Sequence, residues 1–168
     1  MLLRHFLCVW LVLALSFQVN ASEQLSSLQG RVVAVADGDT VTVLDADQTT
    51  HRIRLQGIDA PESRQAFGQR ARQYLAALVH QQEVEVAVDK IDRFGRVVGV
   101  IYRDGEDINL RMVQAGMAWH YRHYAREQTP EQRRTYAAAE QQARQEQRGL
   151  WADPNPMAPW DFRRTQRR

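Results

Sequence analysis

Three short alternating segments, joined by turns with almost no slack, hold the N-terminal half of this chain to a β-meander. Arg31 to Ala36 is valine-rich and has strand character. Asp37-Gly38 follows, the favoured pair for a two-residue hairpin whose central positions take positive φ. Thr40 to Leu44 alternates as a return strand, and Asp45 to Thr50 is a polar turn. His51 to Leu55 alternates again, with Ile53 and Leu55 on one face and Arg52 and Arg54 on the other. Strands connected this tightly pair with their sequence neighbours.

The pattern then changes. Pro61 ends the strand region, and from about Gln69 to Val79 the apolar residues Ala71, Tyr74, Leu75 and Leu78 recur at helical spacing. Glu83 to Val88 alternates strictly, Asp92 to Gly95 forms a turn, and Val97 to Tyr102 is the partner strand. Asp104-Gly105 is a further turn, and Ile108 to Ala115 is a short helix ended by Gly116. Thr129-Pro130-Glu131-Gln132 starts a long helix, with a cap, a proline at the first helical position and a capping-box glutamine. It runs to about Arg148 and stops at Gly149. Five strands and three helices without a repeat predict a mainly β, α+β domain built on a small OB-type barrel.

Both ends lie outside that domain. Arg4 precedes an apolar run from Phe6 to Phe17, and Val19-Asn20-Ala21 has modest side chains at the usual cleavage offsets. Residues 1–21 therefore read as a secretory signal peptide, the run being short of the roughly 20 apolar residues of a spanning helix. Residues 22–29 form a polar leader, 30–151 the domain, and 152–168 a tail. Cys8 is the only cysteine, so cleavage leaves none for disulfides. The net charge is +2, without a strong basic field, and Lys90 is the only lysine among the cations. Arginine suits two-point phosphate contacts. The stretch from Leu150 to Phe162 has three prolines and two tryptophans and is expected to be irregular, with Trp151 and Trp160 packed back on the domain. The basic end, Arg163 to Arg168, is expected to be solvated.

The charged residues are individually ambiguous. Asp37 is explained by its turn, whereas Asp39 is not required by it and stands where its carboxylate can project over the barrel rim. In Ile58-Asp59-Ala60-Pro61-Glu62, proline stiffens the backbone and fixes two acids; a polar loop capping the next helix explains them equally well. Arg54 alone is an exposed strand residue and Arg96 a turn-flanking charge. His120 and His123 lack the further ligands a zinc site needs. Trp119, Tyr121 and Tyr124 are either a base-stacking platform or a partly buried connection between helices.

In order and separation, Asp37-Gly38-Asp39-Thr40, Arg54-Leu55 leading to Ile58-Asp59-Ala60-Pro61-Glu62, Asp92-Arg93-Phe94-Gly95-Arg96 and Gly149-Leu150-Trp151 resemble the staphylococcal nuclease family. The resemblance spans about Gly30 to Trp151. It implies the OB-type barrel and a calcium-dependent hydrolysis of DNA and RNA that leaves 3′-phosphates. It implies Asp39, Asp59 and the Ala60 carbonyl as Ca2+ ligands, Glu62 as general base, and Arg54 and Arg96 on the scissile phosphate. Ala60 stands where a threonine is best known and Phe94 where tyrosine is common, and neither change removes a charge. A monomer, secreted or periplasmic and with no membrane anchor after cleavage, is expected. The competing reading is a non-catalytic OB-type nucleic-acid-binding module, which has no need of the acids.

Overall fold

The computed structural model describes residues 27–166. The signal-peptide and Arg167-Arg168 readings, and the leader before Ser27, fall outside the described residues. The first strand, β1 (Ser27–Val35), pairs antiparallel with β2 (Thr40–Leu44), which pairs with β3 (Thr50–Leu55). This is the expected meander. After a two-residue strand β4 (Ile58–Asp59) and helix α1 (Gly68–Val79) come β5 (Glu83–Ile91) and β6 (Val97–Arg103). The sheet order is β3-β2-β1-β5-β6, and a parallel pairing of β3 with β6 closes it into a five-stranded barrel. Val32, Val41, Val43, Ile53 and Val86 from alternate strand positions fill the interior, fully buried.

β1 starts earlier than expected, because Ser27 and Leu28 of the leader pair with Ala87 and Val86 of β5. The Asp37-Gly38 turn is also built differently. Neither residue has positive φ, so the two-residue hairpin does not form. The Asp39 N–H instead donates to Asp37 Oδ1 at 3.0 Å, and the Ala36 N–H donates to the Thr40 carbonyl at 2.9 Å. Gly38 is needed for space: a Cβ there would lie 2.7 Å from the Cβ of both Ala60 and Ala71. The Asp104-Gly105 turn does use positive φ at both positions, 52° and 79°.

The helices close the barrel's ends. β7 (Glu106–Asp107) leads into α2 (Ile108–Gln114), whose Asn109 is fully buried. Asn109 Nδ2 donates to the carbonyls of Gln56 and Gly99, and its Oδ1 accepts from the Ile101 N–H. This one side chain ties α2 to both strands of the parallel pair. β8 (Trp119–His120) pairs with β4 and is followed by a 3₁₀ turn, Arg122–Glu127. Helix α3 (Pro130–Gln145) carries the expected capping box between Thr129 and Gln132.

The C-terminal segment departs from expectation. Trp151 is buried against Trp119, with ring centroids 4.4 Å apart, as anticipated. Leu150 to Phe162 is not irregular throughout, however. A 3₁₀ turn spans Gly149–Ala152, and Pro159–Thr165 is a fourth helix, α4. Pro159 at its first turn, Asp161 near its N-terminus and Arg163 and Arg164 in its last turn suit a short helix.

Candidate active site

The site lies on the barrel rim, where the β1–β2 turn, the end of β3 and β4 meet. Asp39 stands one residue before β2, and its carbonyl accepts from the Leu55 N–H at 2.9 Å. That bond joins the end of β3 to the turn. Asp39 Oδ2 accepts from the Ala60 N–H at 2.7 Å, and Oδ1 from the Thr40 hydroxyl at 3.2 Å. Ala60 is thus brought against Asp39 through its amide. Gly38 allows the approach, since any side chain there would wedge the turn away from Ala60.

Asp59 comes from β4, which β8 holds in place through the Asp59–Trp119 pairing. Its side chain is 1% exposed. Arg54, on the rim face of β3, reaches both acids. Its Nη2 lies 3.0 Å from Asp59 Oδ1 and 3.2 Å from Asp39 Oδ2, while Nη1 donates to the Leu55 carbonyl at 2.8 Å. It is no ordinary exposed strand residue. Its guanidinium bridges two carboxylates that are nearly closed to solvent.

Burial pushes the Asp39 carboxyl up to about 7, Arg54 opposes it, and the Asp37 and Asp59 charges add to the rise. Among the described residues no three histidine, cysteine or carboxylate side chains converge on one point. The oxygens of Asp39 and Asp59 are hard donors. They suit a hard cation that completes its shell with main-chain carbonyls and water. Oxygen donors of this kind favour hard cations over zinc, which prefers nitrogen and sulfur ligands. His120 is buried with Nε2 2.9 Å from Gln128 Oε1, which makes it a core residue.

Glu62 follows Pro61 on the loop before α1. It does not cap that helix, whose first flanking residue is Phe67 with φ 67° and no side-chain cap. Its carboxylate is 39% exposed and faces Arg163. Arg96 is not gathered with the others. Its Nε and Nη2 both contact Asp92 Oδ2, at 2.8 and 2.7 Å, and its guanidinium lies 5.6 Å from the Phe94 ring centre. It directly precedes the Ile53–Val97 parallel pair, level with Arg52 and two positions back from Arg54. Asp39, Arg54 and Asp59 are in direct contact, Glu62 joins them through Arg163, and Arg96 is paired with Asp92 in its own turn.

A residue that sequence reasoning placed in a solvated tail takes the open position. Arg163 Nη1 and Nη2 approach Asp59 Oδ1 and Oδ2 at 3.2 and 2.8 Å, and Nη1 also donates to Glu62 Oε1 at 2.7 Å. The available signal was the Pro-x-Asp start with arginines one turn later, a helix signature inside the proline-rich stretch. Beside Arg163 opens a cleft of about 1030 Å³, walled by Trp119, Tyr121, His123, Arg144 and Trp160. Its aromatic and cationic lining suits a nucleic-acid strand.

Comparison with known proteins agrees with this architecture. Residues 52–153 match the family model described as staphylococcal nuclease homologue. A micrococcal nuclease of Shigella flexneri is 46% identical over 148 residues, covering 83% of this chain and 82% of its own length. Protein ParB of Escherichia coli is 44% identical over 160 residues, covering 90% and 88%. An uncharacterized endonuclease of Haemophilus influenzae is 41% identical over 137 residues, covering 82% and 74%. With its closed barrel, its acid pair bridged by Arg54 and these relatives, the chain belongs to the staphylococcal nuclease family and is a nuclease of that type.

Proposed function

We propose that this nuclease hydrolyses phosphodiester bonds of DNA and RNA in a calcium-dependent reaction with little sequence specificity, leaving 3′-phosphates. One observation carries the reading: the buried carboxylates Asp39 and Asp59 meet across Arg54 at a rim beside the aromatic, cationic cleft that Arg163 lines. A buried cluster of acids and guanidiniums is weak evidence of stabilisation by itself. It has a use where a cation is to be held.

Asp39, Asp59 and the Ala60 carbonyl would hold calcium, which when bound supplies positive charge to a phosphate oxygen and to the attacking water. Arg54 bridges the two acids, and its 16% exposed head offers donors to a phosphate on the solvent side. A planar fork can hold two phosphate oxygens at once. Arg96 reaches the same phosphate by leaving Asp92. Charge developing on the phosphate oxygens makes both contacts stronger in the transition state than in the ground state. Glu62, half-exposed at the edge of the site, orients the attacking water and takes its proton as the P–O5′ bond breaks, and the departing 5′ oxygen takes a proton from solvent. All these contacts go to phosphate or to the nucleophile, so they carry no base information.

Residues 1–21 serve as a signal peptide in this reading, with the mature monomer secreted or periplasmic. No helix among the described residues is long and apolar enough to cross a membrane. The test is incubation of purified mature protein with single-stranded DNA, duplex DNA and RNA, in calcium or in a calcium chelator. Cleavage of all three in calcium alone, with ends that primer extension uses only after phosphatase treatment, is the expected result. Binding without cleavage in calcium would favour a non-catalytic OB-type module.

A further inference from the structure

The C-terminal helix does more than cover the domain. It places Arg163 on the acids assigned above to the cation and to the water. Three contacts of 2.7 to 3.2 Å join its two terminal nitrogens to both oxygens of Asp59 and to Glu62 Oε1. Asp59 Oδ1 already accepts from Arg54, so every oxygen of Asp59 faces a guanidinium. A calcium ion binds carboxylate oxygens at roughly 2.3–2.6 Å. An ion there and Arg163 would share the same lone pairs and repel one another.

The helix is docked by contacts outside the charge cluster. Trp160 stacks on Tyr121, with centroids 5.4 Å apart and an interplanar angle of 29°, and meets Trp119 edge-on at 5.4 Å. Gln65, on the Glu62 loop, donates to the Met157 carbonyl at 2.6 Å. The connection from Asp153 to Ala158 contains Pro154 and Pro156 and carries no helix or strand. That connection lies outside the barrel strands and is where the chain can turn if α4 leaves.

We infer that α4 is an intramolecular plug: docked Arg163 and a divalent cation exclude each other at Asp59 and Glu62, so cation binding releases the helix and helix docking weakens the cation. This rests on the calcium reading of the site. The coupling is reciprocal by thermodynamic necessity. Neutralising Arg163 therefore tightens calcium, and calcium frees the tail even when no substrate is present.

Two measurements on the mature protein test it. The first is calorimetric calcium affinity of the wild type, Arg163→Ala and Trp160→Ala, the second variant loosening the helix without touching the charges. Both variants are expected to bind calcium about tenfold more tightly, within the usual range of such couplings. The second is limited trypsin cleavage in the tail, followed by intact mass and tryptophan fluorescence. Calcium is expected to speed tail cleavage of the wild type, and Arg163→Ala to be cleaved as fast without it. Wild-type calcium binding that Asp59→Asn abolishes but Arg163→Ala leaves unchanged would overturn the plug and keep the calcium site. No calcium binding by wild type or either variant would overturn both.

Discussion

Replacing Arg54 by methionine tests the electrostatics of the rim without reference to catalysis. The substitution keeps most of the stem and removes the charge shared by Asp39 and Asp59. Asp59 retains Arg163, so the larger loss falls on Asp39, whose side chain is 10% exposed and keeps only the Ala60 amide and Thr40 hydroxyl. Breaking a buried ion pair costs about 3–5 kcal/mol. The surviving partner on Asp59 puts the expected loss near the lower end, about 3 kcal/mol. In a domain of this size that lowers Tm by roughly 6–12 °C. The assay is urea unfolding at about pH 8 in chelator, above the range where Asp39 takes up its proton. In an Asp39→Asn background the same change should cost about 1 kcal/mol or less, because no buried charge is orphaned. A loss under about 1 kcal/mol in the wild-type background, or an equal loss in both, would refute the claim that Arg54 supports a strained acid pair.

Other consequences follow from single contacts. Gly38→Ala drives a methyl against Ala60 and Ala71 and should cost about 1–3 kcal/mol in urea unfolding, with loss of activity as the Asp39–Ala60 contact shifts. Glu62→Gln should lower kcat by about 10²–10⁴-fold with oligonucleotide binding retained; normal turnover would remove Glu62 from the reaction. Arg54→Lys should lower kcat/KM by on the order of 10²-fold, because lysine has no planar fork, and an unimpaired variant would exclude two-point gripping. Burial raises the Asp107 carboxyl above 3.8, against the opposing bonds from the Leu110 amide and Tyr136 hydroxyl. The folded protein therefore holds that proton above the pH at which the unfolded chain loses it. The Asp107 contribution to stability is present at low pH and falls as pH rises through the folded value. Asp107→Asn should flatten that part of the stability–pH curve.

Much of this molecule was legible because short-range rules decide it. The meander, the capping box before α3 and the Asp104-Gly105 turn depend on neighbours in sequence, and each took its expected form. Gly38 was read for the wrong property. Its value is a close approach to Ala60 and Ala71, over 20 residues away in the chain, which no turn rule contains. Asp39, Arg54 and Asp59 came together because β2, β3 and β4 are linked too tightly to separate them. Arg96 was harder to place, since its own turn offers a nearer carboxylate in Asp92. Arg163 was missed for the opposite reason: its partners lie about 100 residues away, and the prolines before it suggested an unstructured tail.

The buried acids serve cleavage only if they seat the cation that the reaction needs. The direct measurement is the initial rate of single-stranded DNA cleavage against calcium concentration, for the wild type and for Asp59→Asn. The wild-type rate should rise from background to a plateau, and the variant should stay near background throughout. Equal rates with and without calcium, or an Asp59→Asn protein that saturates like the wild type, would contradict it.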